Sequence, residues 1–409
     1  MKTIKFFAGI FLCFFFTITK AAILWNPNLM FGESIYPSYA IANSVFQDNS
    51  AKKIDKIKGD VKGQIGISVD NLSFKPFNLK VKIVCDDILN PTEESIYVDS
   101  KSQKFYFYPK LDYKWDALRK NSQTKPINIK ITVWLDGKLL GTKLKIASLQ
   151  SINNCPYTCI SQTNDLIDLN YMYAAYVNED NDMLNNVLLK EMLSQKAIDK
   201  IYGYQSGDVQ EVRKQVFAVW NMLQKRGISY SSLSASKIQK QESLPIVYHQ
   251  FVRTFEDALE SKQANCVDGT VMMASILYRM GIRPVIVTTP SHCFLGYALD
   301  RNQTSIEFLE TTALGSEVSA EDASFAEKQD FYDVKLGSDF GMAYKSFVVA
   351  TLLGRIAYNE NADKFNNYTF YTTLSIINEN NINDVVDALQ YQIFPVEKYK
   401  NKGLQTVFK

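Results

Sequence analysis

The stretch from Asn265 to Thr312 constrains this chain more than any other. Asn265-Cys-Val-Asp-Gly-Thr270 leads into Val271–Met280. Val267, Val271, Ala274, Ile276, Leu277 and Met280 give that run one apolar face at helical spacing. Gly281 is a natural C-terminal stop, and Pro284 follows it. The pattern predicts a buried helix with Cys266 in its first turn. A strand is predicted over Pro284–Thr289, with Pro290-Ser291 as the turn. His292–Leu299 reads as the next strand, and Ser305–Leu309 as a third that ends in Glu310-Thr-Thr312. One helix followed by three short-linked strands implies an antiparallel layer on a helix, an α+β arrangement.

Chemistry follows from where three residues fall in that layout. A cysteine at a helix start meets unpaired N–H groups and the positive end of the helix dipole, which favour a thiolate. Its backbone N–H is free to stabilise an oxyanion. If the strands are sequential and antiparallel, His292 and Glu310 lie beside that helix end. Cys266 would then attack a carbonyl carbon. His292 would take its proton and return one to the leaving amine, and Glu310 would fix the imidazole tautomer. Each residue also has a plainer reading. A free cysteine is among the most buried residue types, and a lone histidine usually satisfies a core or surface bond. Glu307 is the rival acid, but three residues from Glu310 it faces the other side of a continuous strand. Asp268 reads as a helix cap or local ion-pair partner. The chain has only two histidines, His249 and His292. A His-rich metal site is therefore excluded, and any histidine-dependent catalysis falls to one of these two.

The order of these elements resembles the transglutaminase-like superfamily, which is related to papain. Its usual motifs are Gly-x-Cys-x-Asp, Gly-Ile-Pro/Arg, Gly-His-x-Trp/Phe and Leu-Asp-x-Thr. They stand here as Ala264-Asn-Cys266-Val-Asp268, Gly281-Ile-Arg-Pro284, Ser291-His292-Cys-Phe294 and Leu309-Glu310-Thr-Thr312. Upstream, Gln250-Phe-Val-Arg253 is similar to a Gln-x-x-Arg element of some bacterial members. The resemblance spans about Val209 to Thr312, roughly a quarter of the chain. It implies a Cys266–His292–Glu310 triad, with Gln250 as an oxyanion donor and Arg253 as an anchor for a substrate carboxylate or a partner of a nearby acid. Three positions depart from the pattern: Glu310 for Asp, Ser291 for Gly, and Cys293 directly after the histidine. On a strand, Cys293 faces away from His292.

Upstream, about residues 60–150 read as an all-β, sandwich-like domain. Leu79, Val81, Ile83 and Cys85 alternate with mostly polar neighbours, as do Ile127, Ile129, Ile131, Val133 and Leu135. Asp136-Gly137 then marks a hairpin into Lys138–Ile146, and Phe105–Tyr108 is a further strand. The transglutaminase-like domain is expected over 165–395, with its core at 209–312. Helices are predicted over about Met183–Ile201 and from Val209 past Leu223, with Asp208 as N-cap, Gly227 after the end and Trp220 in the core. Ser231–Glu242 reads as a loop, Met342–Tyr358 as a helix or long buried segment, and Asp384–Gln390 as a short helix.

The chain opens Met-Lys-Thr-Ile-Lys, followed by the apolar run Phe6–Phe16 and small residues at Thr19 and Ala21. This is the pattern of a secretory signal peptide over residues 1–21 and implies a periplasmic or extracellular protein. Removing it would change the formal charge from +2 to about −1. No basic stripe is interleaved with aromatics, so nucleic acid is not an expected partner. No later run is long enough for a stable membrane span. Cys85, Cys155, Cys159, Cys266 and Cys293 would remain. Cys155 and Cys159 suit a disulfide or free thiols, or a zinc half-site that lacks a second half. No metal or organic cofactor is implied, and a calcium loop of the Asp-x-Asp-x-Asp-Gly kind is missing. The expected function is an exported thiol hydrolase of amide or peptide bonds, acting on a protein or peptide substrate. Protein acyl transfer of the cross-linking type and a catalytically silent binding module are the alternatives.

Overall fold

A computed structural model describes residues 23–47, 56–161, 166–232, 237–238, 244–319, 321–322, 324, 340–365 and 382–408. The expected signal peptide lies outside the described residues. In chain order the first half contains β1 (Ile23–Leu29), β2 (Ser34–Ile35), α1 (Pro37–Asn43), β3 (Ile57–Gly59), β4 (Ile65–Asn71), β5 (Phe77–Val84), β6 (Thr92–Val98), β7 (Lys104–Tyr108), α2 (Trp115–Arg119), β8 (Lys125–Leu135) and β9 (Lys138–Leu149). These strands form two sheets, ordered β1-β4-β7-β3 and β2-β9-β8-β5-β6.

The alternation seen in sequence is the burial pattern of the second sheet. Leu79, Val81 and Ile83 on β5, and Ile127, Ile129, Ile131 and Val133 on β8, are buried, while residues between them reach solvent. Ile65, Ile67, Val69, Phe105 and Phe107 of the first sheet join them in one core. The β8–β9 hairpin turns at Asp136 and Gly137, with φ of 46° and 80°. This is the mirror-image turn that suits the twist of paired strands. The sheets begin well before residue 60. β1 runs along β4 from Ile23↔Asn71 to Leu29↔Ile65, and β2 pairs in parallel with the end of β9. A strand such as Ile-Leu-Trp-Asn-Pro-Asn-Leu, with an internal proline, has too weak an alternation to announce itself.

The second half contains β10 (Asn154–Ile160), β11 (Leu166–Asp168), a 3-10 turn (Asn170–Tyr176), a π-helical turn (Leu184–Leu188), α3 (Leu189–Ser194), α4 (Val209–Lys225), β12 (Ser229–Tyr230), β13 (Lys237–Ile238), β14 (Ile246–Phe251), α5 (Phe255–Ser261), β15 (Gln263–Ala264), α6 (Cys266–Arg279), β16 (Pro284–Thr289), β17 (His292–Ala298), β18 (Ile306–Leu309), a second 3-10 turn (Thr311–Ala313), α7 (Gly341–Asn359), α8 (Ile382–Gln390), β19 (Gln392–Pro395) and α9 (Val396–Lys400). The whole is α+β. The helix expected to run on to Ile201 stops at Ser194, where Lys196 turns left-handed at φ 58°. Asp208 caps α4 by accepting from Gln210 N, and Trp220 is fully buried. Most of the loop expected at 231–242 lies outside the described residues; β13 falls within it.

The sheet that holds His292 has the order β18-β17-β16-β19. β16, β17 and β18 are consecutive and antiparallel, with Thr289↔His292 at the first turn and Leu295↔Leu309 across the second pair. α6 packs on one face, where Leu295 and Tyr297 meet the main core. On the other face Val285, Val287, Phe294 and Phe308 form a second cluster against Ala357 and Tyr358 of α7.

The two halves also share contacts. Tyr36 Oη meets His249 Nδ1 at 3.1 Å, Ser38 Oγ donates to the Asn154 carbonyl, and Gln405 N donates to the Ala42 carbonyl. His249 thus serves a buried joint between the N-terminal segment and β14.

Candidate active site

Cys266 is the first residue of α6, and the sequence around it builds a complete helix cap. Asn265 Oδ1 accepts from Asp268 N at 2.8 Å, and Asp268 Oδ2 accepts from Asn265 N at 3.0 Å. This reciprocal box uses the N–H groups of the cap and the third residue. Those of Cys266 and Val267, at the first two helical positions, have no partner inside the helix. Asp268 does a second job. Its buried carboxylate accepts from Arg253 N at 2.8 Å and pairs with Arg253 Nη1 at 2.5 Å. The structure therefore places Arg253 on Asp268, the nearby acid, at the helix start. Gln250 donates through Nε2 to the Phe251 carbonyl at 3.0 Å, and the same carbonyl receives Asn265 Nδ2 at 3.5 Å. Gln250 thus stands one hydrogen-bonded step from the cap of the cysteine helix.

His292 opens β17 directly after Ser291, which is left-handed at φ 61°. A two-residue hairpin turn demands such a conformation, and glycine adopts it at less cost. Ser291 adopts it here. His292 Nε2 lies 2.7 Å from Glu310 Oε2. The Cys266 thiol acts on the same imidazole, and with Nε2 on Glu310 the ring nitrogen left for it is Nδ1. The structure brings Cys266, His292 and Glu310 together in that order. Burial opposes charge on the imidazole, yet the hydrogen bonds and charges of Cys266 and Glu310 outweigh it and push His292 up to about 10. Burial likewise opposes the Glu310 charge, but His292 and then Thr312 hold the carboxylate below its ordinary value.

Glu310 has no idle oxygen. Oε1 accepts from Thr312 N at 2.9 Å and from Thr312 Oγ1 at 2.6 Å, leaving Oε2 for the histidine. Thr312 was visible in the motif, but its role depends on the 3-10 turn that Glu310 caps. Thr311 brings this turn against the helix: its Oγ1 lies 3.2 Å from Thr270 Oγ1 and 3.5 Å from the Cys266 carbonyl. Gly269 permits the approach, since a Cβ there would lie 3.2 Å from Thr311 Cβ.

Glu307, the rival acid, points elsewhere. It is buried between Arg213 of α4 (Nη2–Oε2 2.9 Å) and Arg355 of α7 (Nε–Oε1 2.5 Å). Cys293 is buried in the core under α6. Burial, and after it the Cys266 charge, pushes its thiol well above the ordinary range. Cys155 and Cys159 are buried free thiols on β10. Among the described residues no group of three or more His, Cys, Asp or Glu is placed to hold a metal ion. No described helix is long and apolar enough to cross a membrane.

One further neighbour went unmarked in the sequence. Tyr230 on β12 is 47% exposed. Burial of part of its ring, followed by the charges of Cys266 and Glu310, raises its phenol. It stands at the rim of the triad because β12 pairs in parallel with β15, directly before the cysteine helix. No family model matches this chain, and no curated protein does either.

Proposed function

We propose that this chain is a thiol-dependent hydrolase of amide or peptide bonds with a transglutaminase-like catalytic domain, exported through the signal peptide expected at residues 1–21. The observation that carries the reading is the His292–Glu310 hydrogen bond, with Cys266 at the N-terminus of α6 acting on the same imidazole. A carbon acid, a metal-bound water or a phosphoryl group would call for other residues; a thiol, an imidazole and a carboxylate in series suit acyl transfer.

Cys266 attacks the substrate carbonyl as thiolate, and the developing oxyanion lies at the helix end, where N–H groups are unpaired. His292 gives the proton on Nδ1 to the leaving amine, which departs and leaves a thioester. The same nitrogen then takes a proton from water, which attacks the thioester and releases the acid. Glu310 keeps a proton on Nε2 through both halves, so that Nδ1 alone changes its state. Thr312 prevents the carboxylate from rotating away, and Gln250 is the candidate second donor to the oxyanion.

The test is the rate of Cys266 alkylation by iodoacetamide against pH, read by mass spectrometry. Rapid labelling near pH 6, lost in His292→Ala, supports the activated pair. Labelling that follows an ordinary thiol profile in both proteins removes the hydrolase reading.

A further inference from the structure

The acid of the triad sits at the end of β18, where the chain could swing freely once the strand is left behind. It does not, because α7 holds it from the side opposite to α6. Four contacts do this, made between Ala350 and Tyr358 of the helix. The Ala350 carbonyl accepts from Glu310 N at 2.9 Å. Gly354 lies directly on the strand backbone: a Cβ there would come 2.6 Å from Leu309 N and 2.7 Å from the Phe308 carbonyl carbon. Arg355 grips Glu307 through Nε at 2.5 Å and Nη2 at 2.7 Å. Tyr358 stacks on Phe308 one turn later, with ring centroids 4.1 Å apart. Helix and strand backbones approach this closely only where a side chain is missing. The Ala350 carbonyl is also the acceptor expected for Gly354 N within the helix, so the gap left by Gly354 is where the strand gains its bond.

We propose that α7 is the positioning element of the triad, with Gly354 and Arg355 setting the distance between Glu310 and His292. This rests on the reading of Cys266, His292 and Glu310 as a working unit. It extends that unit beyond the Val209–Thr312 segment that bears the motifs. Gly354 and Arg355 touch neither substrate nor reacting atoms; they act through β18. The groups that face the imidazole are Cys266 from α6 and Glu310 after β18, with Tyr230 of β12 at the rim. Of these only Glu310 hangs on α7.

The experiment is an NMR titration of the full chain carrying ring-labelled histidine, which has two signals to assign, His249 and His292. Gly354→Ala should lower the His292 midpoint by at least about one unit, a tenfold change in its protonation equilibrium. Glu310→Gln should lower it similarly, and the double variant should fall no further than Glu310→Gln alone. A folded Gly354→Ala protein whose His292 titrates as in the parent overturns the proposal. Should Gly354→Ala fail to fold, Arg355→Gln decides, because Glu307 keeps Arg213. A lowered midpoint, restored by Arg355→Lys, supports positioning. A lower melting temperature with an unmoved midpoint shows mere packing and overturns it. The triad reading fails separately: there, His292→Ala leaves Cys266 alkylation unchanged, whatever the titration of His292 shows.

Discussion

The two principal sheets differ in what lies on their second face. The sheet β2-β9-β8-β5-β6 is buried on one side and wet on the other, so β5 and β8 alternate buried and accessible residues. The sheet β18-β17-β16-β19 lies between α6 and α7, and β16 is buried at every position. A wet face accepts lysine and threonine without partners. A sheet covered on both sides must satisfy every charge internally, because an unpaired buried charge is costly. Glu307 accordingly has two arginines, and Glu310 has His292 and Thr312. Dry surroundings strengthen such bonds, so the doubly covered sheet is the one that supports an imidazole–carboxylate pair.

That contrast can be broken in several places. The largest effect is expected at the triad. An ordinary thiol is only about 1% ionised two units below its pKa of ~8.5. His292→Ala should therefore slow Cys266 alkylation near pH 6.5 by about a hundredfold. The same substitution at His249, which serves the Tyr36 joint, should leave the rate unchanged while lowering the melting temperature.

Next in size is Glu307→Ala, which removes the buried carboxylate that both Arg213 and Arg355 hold and should destabilise by about 3–5 kcal/mol in a urea titration. A loss under 1 kcal/mol would show that water reaches these arginines and that the sheet is less covered than described. The wet sheet should behave in alternation. Ile131→Ala should lose about 2–5 kcal/mol, whereas its exposed neighbour Lys130→Ala should stay within about 0.5 kcal/mol. Neither should move the alkylation rate.

The smallest effect concerns pH. The His292 pKa is raised from 6.5 to about 10 in the fold. Its contribution to stability is complete below 6.5 and disappears as pH rises through about 10. The Glu310 pKa is lowered from 4.5. Its contribution is complete above 4.5 and is lost as pH falls through the folded value. The difference in melting temperature between the parent and Glu310→Gln should therefore be widest between about pH 4.5 and 6.5 and shrink on both sides. A flat difference across the whole range would mean that the two groups do not stabilise each other.

Local order was readable wherever one element explains itself. The alternation from Ile127 to Val133, the Asp136-Gly137 turn, the Asp208 cap and the Cys266–Arg279 helix all depend on neighbours within a few residues. The strands at Pro284–Thr289 and His292–Ala298 were likewise legible, because short turns leave them few other places to go. The placement of Arg253 was open between a substrate and an acid, since a guanidinium suits either carboxylate and only the turn from β14 into α5 puts Asp268 in reach. The early end of α3 was missed because apolar spacing continues past Ser194 into a segment that packs without being helical.

By itself, then, the sequence determined which segments are helix and strand between Asn265 and Thr312, that one cysteine starts a helix, and that a histidine and an acid follow on successive strands. The tertiary structure decided what each of those side chains faces. It brought β19 from about a hundred residues away to pair with β16, laid α7 across β18, and gave Glu307 and Glu310 different partners although they stand three residues apart. Periodicity is a property of the backbone and survives in the order of letters. Pairing between charges depends on distances across long loops, and those are set only when the layers close on one another.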